Sequence, residues 1–141
     1  MRLVDGFRFS TDVRVRFAET DAQRIAHNAT YLVWFEVARV AYLDEYTAGY
    51  RAFQDAGYEA TVVEAHVRYL TPAAFDDLIR IWTRCVDVRG ARFRYEYLLQ
   101  RVGDGLRIAE GWTTHACVDA HTLRPTRLPP WIVDAIARAE S

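Results

Sequence analysis

Residues able to do acid–base or nucleophilic work are few in this chain and unevenly spread. Asp21 lies in a stretch, Glu19 to Thr30, that has no clean hydrophobic period and runs straight into a long apolar helical pattern. A carboxylate can attack a carbonyl carbon directly or activate water as a general base. The start of a helix supplies unpaired N–H groups and a positive dipole end, which favour negative charge. A carboxylate leading into a helix therefore brings two parts of a hydrolytic site into one short segment. An Asp ahead of a helix is also an ordinary turn or cap residue, so its position alone assigns nothing. His27 and Asn28 share the segment, and Asn28 or Thr30 is the expected helix cap. Glu64 and His66 fall on one face of a strand pattern and read as a polar edge before they read as an acid–base pair. His115 and His121 lack the spacing of metal ligands, so no metal is expected. Cys85 and Cys117 form no CxxC and join no Cys/His cluster; both are read as buried thiols.

The elements that must hold these residues follow from period and punctuation. Val13, Val15 and Phe17 alternate with Arg14 and Arg16, which predicts a half-buried strand over Asp12–Ala18. A helix is predicted from about Tyr31 to Tyr46. It carries one apolar row of Leu32, Phe35, Val40 and Leu43 and a second of Tyr31, Trp34, Ala38 and Tyr42, so burial around much of its circumference is expected. Gly49 and Gly57 bracket a second short helix. Strands are predicted from Thr61 to the Thr71-Pro72 break, over Asp76–Asp87, over Arg92–Arg101 and over Leu106–Val118. The last of these is expected to place Ile108, Trp112, Thr114, Ala116 and Val118 on one face. Gly103-Asp104-Gly105 is a hairpin signal, and a helix over Trp131–Ala139 follows Pro129-Pro130. One long buried helix needs a sheet to cover it, and short turns imply antiparallel pairing. An α+β layer, with the sheet wrapped around the helix, satisfies both.

Composition narrows the class. A chain of 141 residues suits a single domain over 1–141, and 51% hydrophobic with 13% aromatic content supports a packed core rather than disorder. The net charge of −1 argues against a general nucleic-acid binder. All 18 basic residues are Arg, which reads as a coding bias and makes any one arginine weak evidence for a phosphate site. The first ten residues are charged and lack a long apolar run, and no stretch approaches the ~18 apolar residues of a membrane span. A cytoplasmic protein without a membrane or nucleic-acid partner is expected.

Two stretches resemble a known family. The first is Val15-Arg16-Phe17-Ala18-Glu19-Thr20-Asp21, with Ile25, His27-Asn28-Ala29-Thr30-Tyr31-Leu32, Phe35-Glu36 and Arg39. The second is Tyr69-Leu70-Thr71-Pro72-Ala73 with Asp76-Asp77-Leu78, then Arg92-Phe93, Glu110-Gly111 and Arg124-Pro125. Together, over roughly residues 12 to 132, they resemble the 4-hydroxybenzoyl-CoA-type acyl-CoA thioesterases of the hot-dog fold. The resemblance implies a long central helix wrapped by an antiparallel sheet of about five strands. It implies dimers, often paired into tetramers, with active sites at the subunit interface and a pantetheine tunnel between protomers. It places the catalytic carboxylate at Asp21, not Glu19, and the oxyanion donor at the backbone N–H of Asn28. His27 then polarises substrate or merely lines the site. Tyr31 and Arg39 stabilise the helix. Arg89 and Arg92 lie at the turn that the family sets near the CoA phosphates; Arg124 and Arg127 are weaker candidates. No cofactor is implied, because CoA is part of the substrate. The chain departs from the pattern at Arg24, where the family usually carries Gly, three residues after the carboxylate.

Two rival readings stay open. A hot-dog enoyl-CoA hydratase uses His with an acidic partner, but one hydratase signature sets Asp five residues before His, whereas Asp21 and His27 are six apart, and no His-Phe-Pro segment occurs. A non-catalytic acyl-CoA or acyl-carrier binding module is the other, and Arg24 is its best support.

Overall fold

The structure is a computed structural model and describes residues 4–141. Its elements are β1 (Phe9–Arg14), α1 (Thr30–Tyr46), α2 (Tyr50–Asp55), β2 (Tyr58–Tyr69), β3 (Leu78–Arg89), β4 (Arg92–Arg101), β5 (Arg107–Asp119) and α3 (Pro130–Glu140). The five strands form one antiparallel sheet in the order β1-β3-β4-β5-β2, with α1 packed on one face. This is the α+β, helix-on-sheet architecture of the hot-dog fold expected from the sequence.

The first strand ends earlier than its alternation suggests. Val15 is buried, but Phe17 is 76% exposed and opens a 3-10 turn over Phe17–Glu19. The Glu19 carboxylate reaches back to accept the Arg16 N–H at 2.8 Å, and this local bond wins over strand continuation.

The helix is buried on one side only. Tyr31, Trp34, Phe35, Ala38 and Tyr42 face the sheet, and the Phe35 ring stacks on Tyr97 at 4.0 Å. Leu32, Val33, Val37 and Val40 are exposed, so the expectation of burial around much of the circumference fails. One sheet covers one face of the helix; among the described residues α2 and α3 reach only its C-terminal half, and Leu32, Val33 and Val37 stay bare.

Strands β3, β4 and β5 form the expected meander, with Gly90 (φ 59) and Gly105 (φ 73) in its two turns. Strand β2 does not join β3. It pairs with β5 as an edge strand, with a bulge between Val62 and Glu64. The connection 70–77 therefore crosses the end of the sheet, and it runs past the start of α1.

The β5 face that groups Trp112, Thr114 and Ala116 is the one turned away from the helix. The helix side of β5 consists of Ala109, Gly111, Thr113, His115 and Cys117. Trp112 stacks on His66 and lies beneath the Arg94 guanidinium. Small residues belong under α1 because the helix approaches closely. A Cβ on Gly111 meets Phe35 ring atoms at 2.9 Å and the His66 carbonyl oxygen closer still. Cys85 and Cys117 are buried free thiols. Among the described residues, no helix is long and apolar enough to cross a membrane.

Candidate active site

The segment from Thr20 to Ala26 closes on itself as a tight turn. Thr20 and Ala26 form a β-bridge, Asp21 N–H donates to Ile25 O at 2.9 Å, and Arg24 N–H donates to Asp21 O at 2.9 Å. Arg24 sits at φ 67, in the left-handed region that glycine enters freely and an L side chain enters at a cost of ~1 kcal/mol. The turn geometry of a glycine is therefore kept, and the departure at Arg24 leaves the loop intact. The Asp21 side chain is held at one end: Oδ1 accepts the Gln23 N–H at 2.8 Å, an Asx turn. Oδ2 has no partner among the described residues.

Glu19, two residues earlier, has a different task. Its side chain is only 10% exposed. One oxygen accepts from Arg16 N–H, and the other accepts the indole N–H of buried Trp34 at 3.2 Å and pairs with the exposed Arg16 guanidinium. Its backbone carbonyl accepts His27 N–H at 2.7 Å. Glu19 thus ties the loop to α1 from beneath.

The helix begins without a side-chain cap, contrary to the expectation for Asn28 or Thr30. Ala29 is the N-cap residue, in helical backbone geometry. His27 supplies the acceptors instead: Nδ1 takes the Ala29 N–H at 3.1 Å, and the carbonyl takes the Thr30 N–H at 2.9 Å. The Asn28 N–H, between them, has no acceptor among the described residues. The Asn28 carbonyl accepts the Tyr69 hydroxyl at 2.7 Å, which holds that peptide in place.

The turn, the helix start and the 69–72 stretch of the crossing connection enclose a cleft of about 380 Å³. Asp21, His27 and Asn28 all line it, along with Tyr31 and Tyr69. These two rings meet edge to face at 4.9 Å, and burial raises both phenol pKa values, so both remain neutral donors at pH 7. Tyr69 is the residue that sequence reasoning missed. It stood in a quoted motif, but strand alternation says nothing of a hydroxyl reaching across to Asn28.

Arg89 and Arg92 are elsewhere. They pair across the β3–β4 turn, at the end of the sheet opposite the cleft, and β3 spans roughly 36 Å at ~3.3 Å per residue. Both are exposed, and neither has a carboxylate partner among the described residues. Arg124 and Arg127 lie toward the same far end: Pro125 bridges Val118, and Leu128 N–H donates to Gly90 O. His66 stacks on Trp112 rather than pairing with Glu64. His115 is buried, and its Nε2 lies 2.7 Å from Thr113 Oγ1, which in turn meets Tyr97 OH at 2.7 Å. Arg39 donates to the same Tyr97 oxygen at 3.3 Å, so it braces the helix against the sheet.

The profile of the thioesterase-like superfamily matches residues 15–136. The chain is 32% identical over 122 residues to "Acyl-CoA thioesterase YbgC" of Haemophilus influenzae, covering 86% of this chain and 88% of that one. It is 29% identical over 124 residues to "Putative acyl-CoA thioesterase YneP" of Bacillus subtilis, covering 85% and 89%. Among solved structures, a hypothetical protein from Thermus thermophilus superimposes with a TM-score of 0.86 at 30% identity, covering 92% of this chain and 98% of that one. The 1,4-dihydroxy-2-naphthoyl-CoA thioesterase Slr0204 from Synechocystis gives the same TM-score, 0.86, at 19% identity, covering 94% and 98%; this likeness speaks for the fold alone.

Proposed function

The chain belongs to the thioesterase-like superfamily and is a thioester hydrolase, and from that premise we propose that it cleaves acyl-CoA with Asp21 as the reacting carboxylate and the Asn28 N–H as oxyanion donor. One observation carries the reading. In a single cleft, a carboxylate oxygen without a partner among the described residues shares space with a backbone N–H that has no acceptor among them, while the amides on either side of that N–H are taken. Hydrolysis needs an attacking oxygen and a donor for the charge that develops on the carbonyl oxygen. Asp21 Oδ2 attacks the thioester carbon, or takes a proton from the water that does. In either route the carbonyl oxygen turns negative against Asn28 N–H, the C–S bond breaks, and the CoA thiolate leaves and is protonated. In the direct route, water then opens the Asp21 anhydride. His27 holds the helix start and lines the cleft. No group beyond water and the substrate is needed.

The proposal includes a dimer. Leu32, Val33, Val37 and Val40 of α1 and Val62 and Val63 of the edge strand β2 are exposed, and Leu32, Val33 and Val62 line one shared depression, a kind of surface that monomers rarely leave bare. Arg89 and Arg92 are assigned to the CoA phosphates from a second protomer, since their own cleft is a strand length away. The test is a hydrolysis screen over an acyl-CoA panel that includes aromatic esters. Asp21→Asn keeps the Asx-turn acceptor and is expected to lower kcat by at least ~10²-fold, the scale for an essential acid–base group, while a non-hydrolysable CoA thioether still binds. Turnover by the variant at the wild-type rate defeats the assignment.

A further inference from the structure

A cavity of about 310 Å³ lies away from the Asp21 cleft, between α1, α2, the sheet and α3. Leu43, Phe53, Ala60, Phe93, Ile132 and Ile136 give it apolar walls. For scale, a ~150 Å³ apolar cavity accommodates benzene, so this one holds roughly twice that in hydrocarbon. Among its polar lining residues, Glu36 is exposed and has no hydrogen-bond or ion-pair partner among the described residues, Arg39 donates to the Tyr97 hydroxyl at 3.3 Å, and two others are tied to protein. The His115 ring is bonded to Thr113, and the Tyr50 hydroxyl donates to Glu59 at 2.6 Å. Burial pushes the His115 pKa down to about 3, so the ring is uncharged at neutral pH. The helix α3 roofs the space, and its Glu140 carboxylate accepts from Tyr42 OH and Cys85 N–H, which pins the roof to α1 and β3.

Between the cavity and the cleft, which share no lining residue, runs one stripe of α1. Leu32, Glu36, Val40 and Leu43 follow each other at helical spacing on a single face, and that stripe starts one turn after Asn28. A shallower depression of about 220 Å³, lined by Leu32, Val33, Val62 and Ala65, shares Glu36 and Arg39 with the cavity. From the helix start at Thr30 to Leu43 the path is about 20 Å at 1.5 Å per residue. An extended hydrocarbon chain advances roughly 1.3 Å per carbon, given C–C bonds of ~1.5 Å, so about fifteen carbons span it.

We infer that this cavity is the terminal subsite for a long acyl chain, which leaves the thioester at Asn28, runs along the α1 stripe beside β2 and ends beneath α3. This rests on the thioester-hydrolase reading and adds the substrate class: acyl groups of roughly fourteen to sixteen carbons over short ones.

The test uses the full chain and two non-hydrolysable probes, S-butyl-CoA and S-tetradecyl-CoA, the latter below its micelle concentration, with binding followed by calorimetry. The tetradecyl probe is expected to bind at least tenfold tighter. Leu43→Trp, and independently Ala60→Phe from the opposite wall, are each expected to reduce that preference at least tenfold, with melting curves to identify a variant that does not fold. Equal affinity for the two probes in the wild-type protein overturns the inference, as does a preference that survives both substitutions in folded protein. Binding separates this from the catalytic proposal. Probe preference without hydrolysis of any acyl-CoA sinks the Asp21 reaction alone. Asp21-dependent hydrolysis of butyryl-CoA with no preference for the long probe sinks the cavity alone.

Discussion

Two acidic residues stand two positions apart in the loop, and exchanging them for neutral ones is expected to fail in opposite ways. Glu19→Ala removes both acceptors beneath the loop. The indole N–H of Trp34, which is only 2% exposed, is left without a partner at a cost of about 1–3 kcal/mol. The Arg16 N–H can turn to water, and the ion pair with the 74% exposed Arg16 side chain adds about 0–1 kcal/mol. The total, about 1–4 kcal/mol, corresponds to a fall in Tm of about 3–15 °C for a chain of this size. Asp21→Asn retains an oxygen for the Gln23 N–H, so its stability change is expected to stay within ~0.5 kcal/mol, the usual range for substitutions that break no buried feature. Its turnover falls at least ~10²-fold. The assay is paired: urea or thermal unfolding, and initial rates on one acyl-CoA ester, for both variants. The reasoning is refuted if Glu19→Ala abolishes turnover at unchanged stability while Asp21→Asn hydrolyses normally, because the two carboxylates then have exchanged roles.

Gly111→Ala is expected to cost about 1–3 kcal/mol by overpacking, since Phe35 is fully buried and stacked and the facing carbonyl of His66 belongs to a paired strand; urea midpoints measure it. Arg24→Gly relieves a side chain at positive φ; the folded state gains about 1 kcal/mol, offset in part by the freer unfolded chain, so a Tm equal to or slightly above wild type is expected, and a clear fall defeats the account. His115 has a folded pKa depressed to about 3 by burial, with the Arg39 charge adding to the effect. The native state therefore holds fewer protons than the unfolded chain. Its contribution is intact above the ordinary pKa of ~6.5 and is lost as pH falls toward 3, by at most ~1.4 kcal/mol per pH unit. Stability measured from pH 7 to 4.5 should decline less steeply in His115→Gln than in wild type.

How much of this was legible depended on what decided each feature. The loop-to-helix passage could be read because residue types and order carry it: an acid, a short turn, a helix start. The phase of β4 could be read because Phe93, Tyr95, Tyr97 and Leu99 are all large, and their common face is the buried one. The phase of β5 could not. Trp112 and Val118 outweigh Gly111, Thr113 and His115 on any hydrophobic scale, yet the depth of α1 over the sheet selects the small residues. The end of β1 escaped detection for a related reason. Alternation at Val15 and Phe17 is a strand signal, but the reach of Glu19 to the Arg16 amide is a three-residue bond that alternation does not encode. The role of His27 as acceptor for the helix start depended on a ring orientation that no spacing reveals. The exposed half of α1 was misread because apolar residues call for a cover without saying whose.

The two ends of the sheet make that last point concrete. Within one chain, the proposed reacting carboxylate and the proposed phosphate-binding arginines are separated by the length of β3. The bare edge at β2 offers a way to bring them together. Two β2 strands pairing edge to edge about a two-fold axis run antiparallel, as isologous contacts between like strands require. The Tyr69 end of one β2, which reaches the cleft through Asn28, then faces the Tyr58 end of the other. That second end carries the far side of its own sheet with it: Thr61 pairs Ala116, and Ala116 pairs Arg92. In such a pair the partner's Arg92 turn would come within a few strand spacings of ~4.8 Å from the Asp21 cleft. The same apposition roofs the Leu32–Val40 stripe along which the acyl chain is proposed to run. In the proposed dimer, a site divided between sheet ends in the monomer would become a single site, and the exposed valines of α1 and β2 would be the surface that holds the pair together.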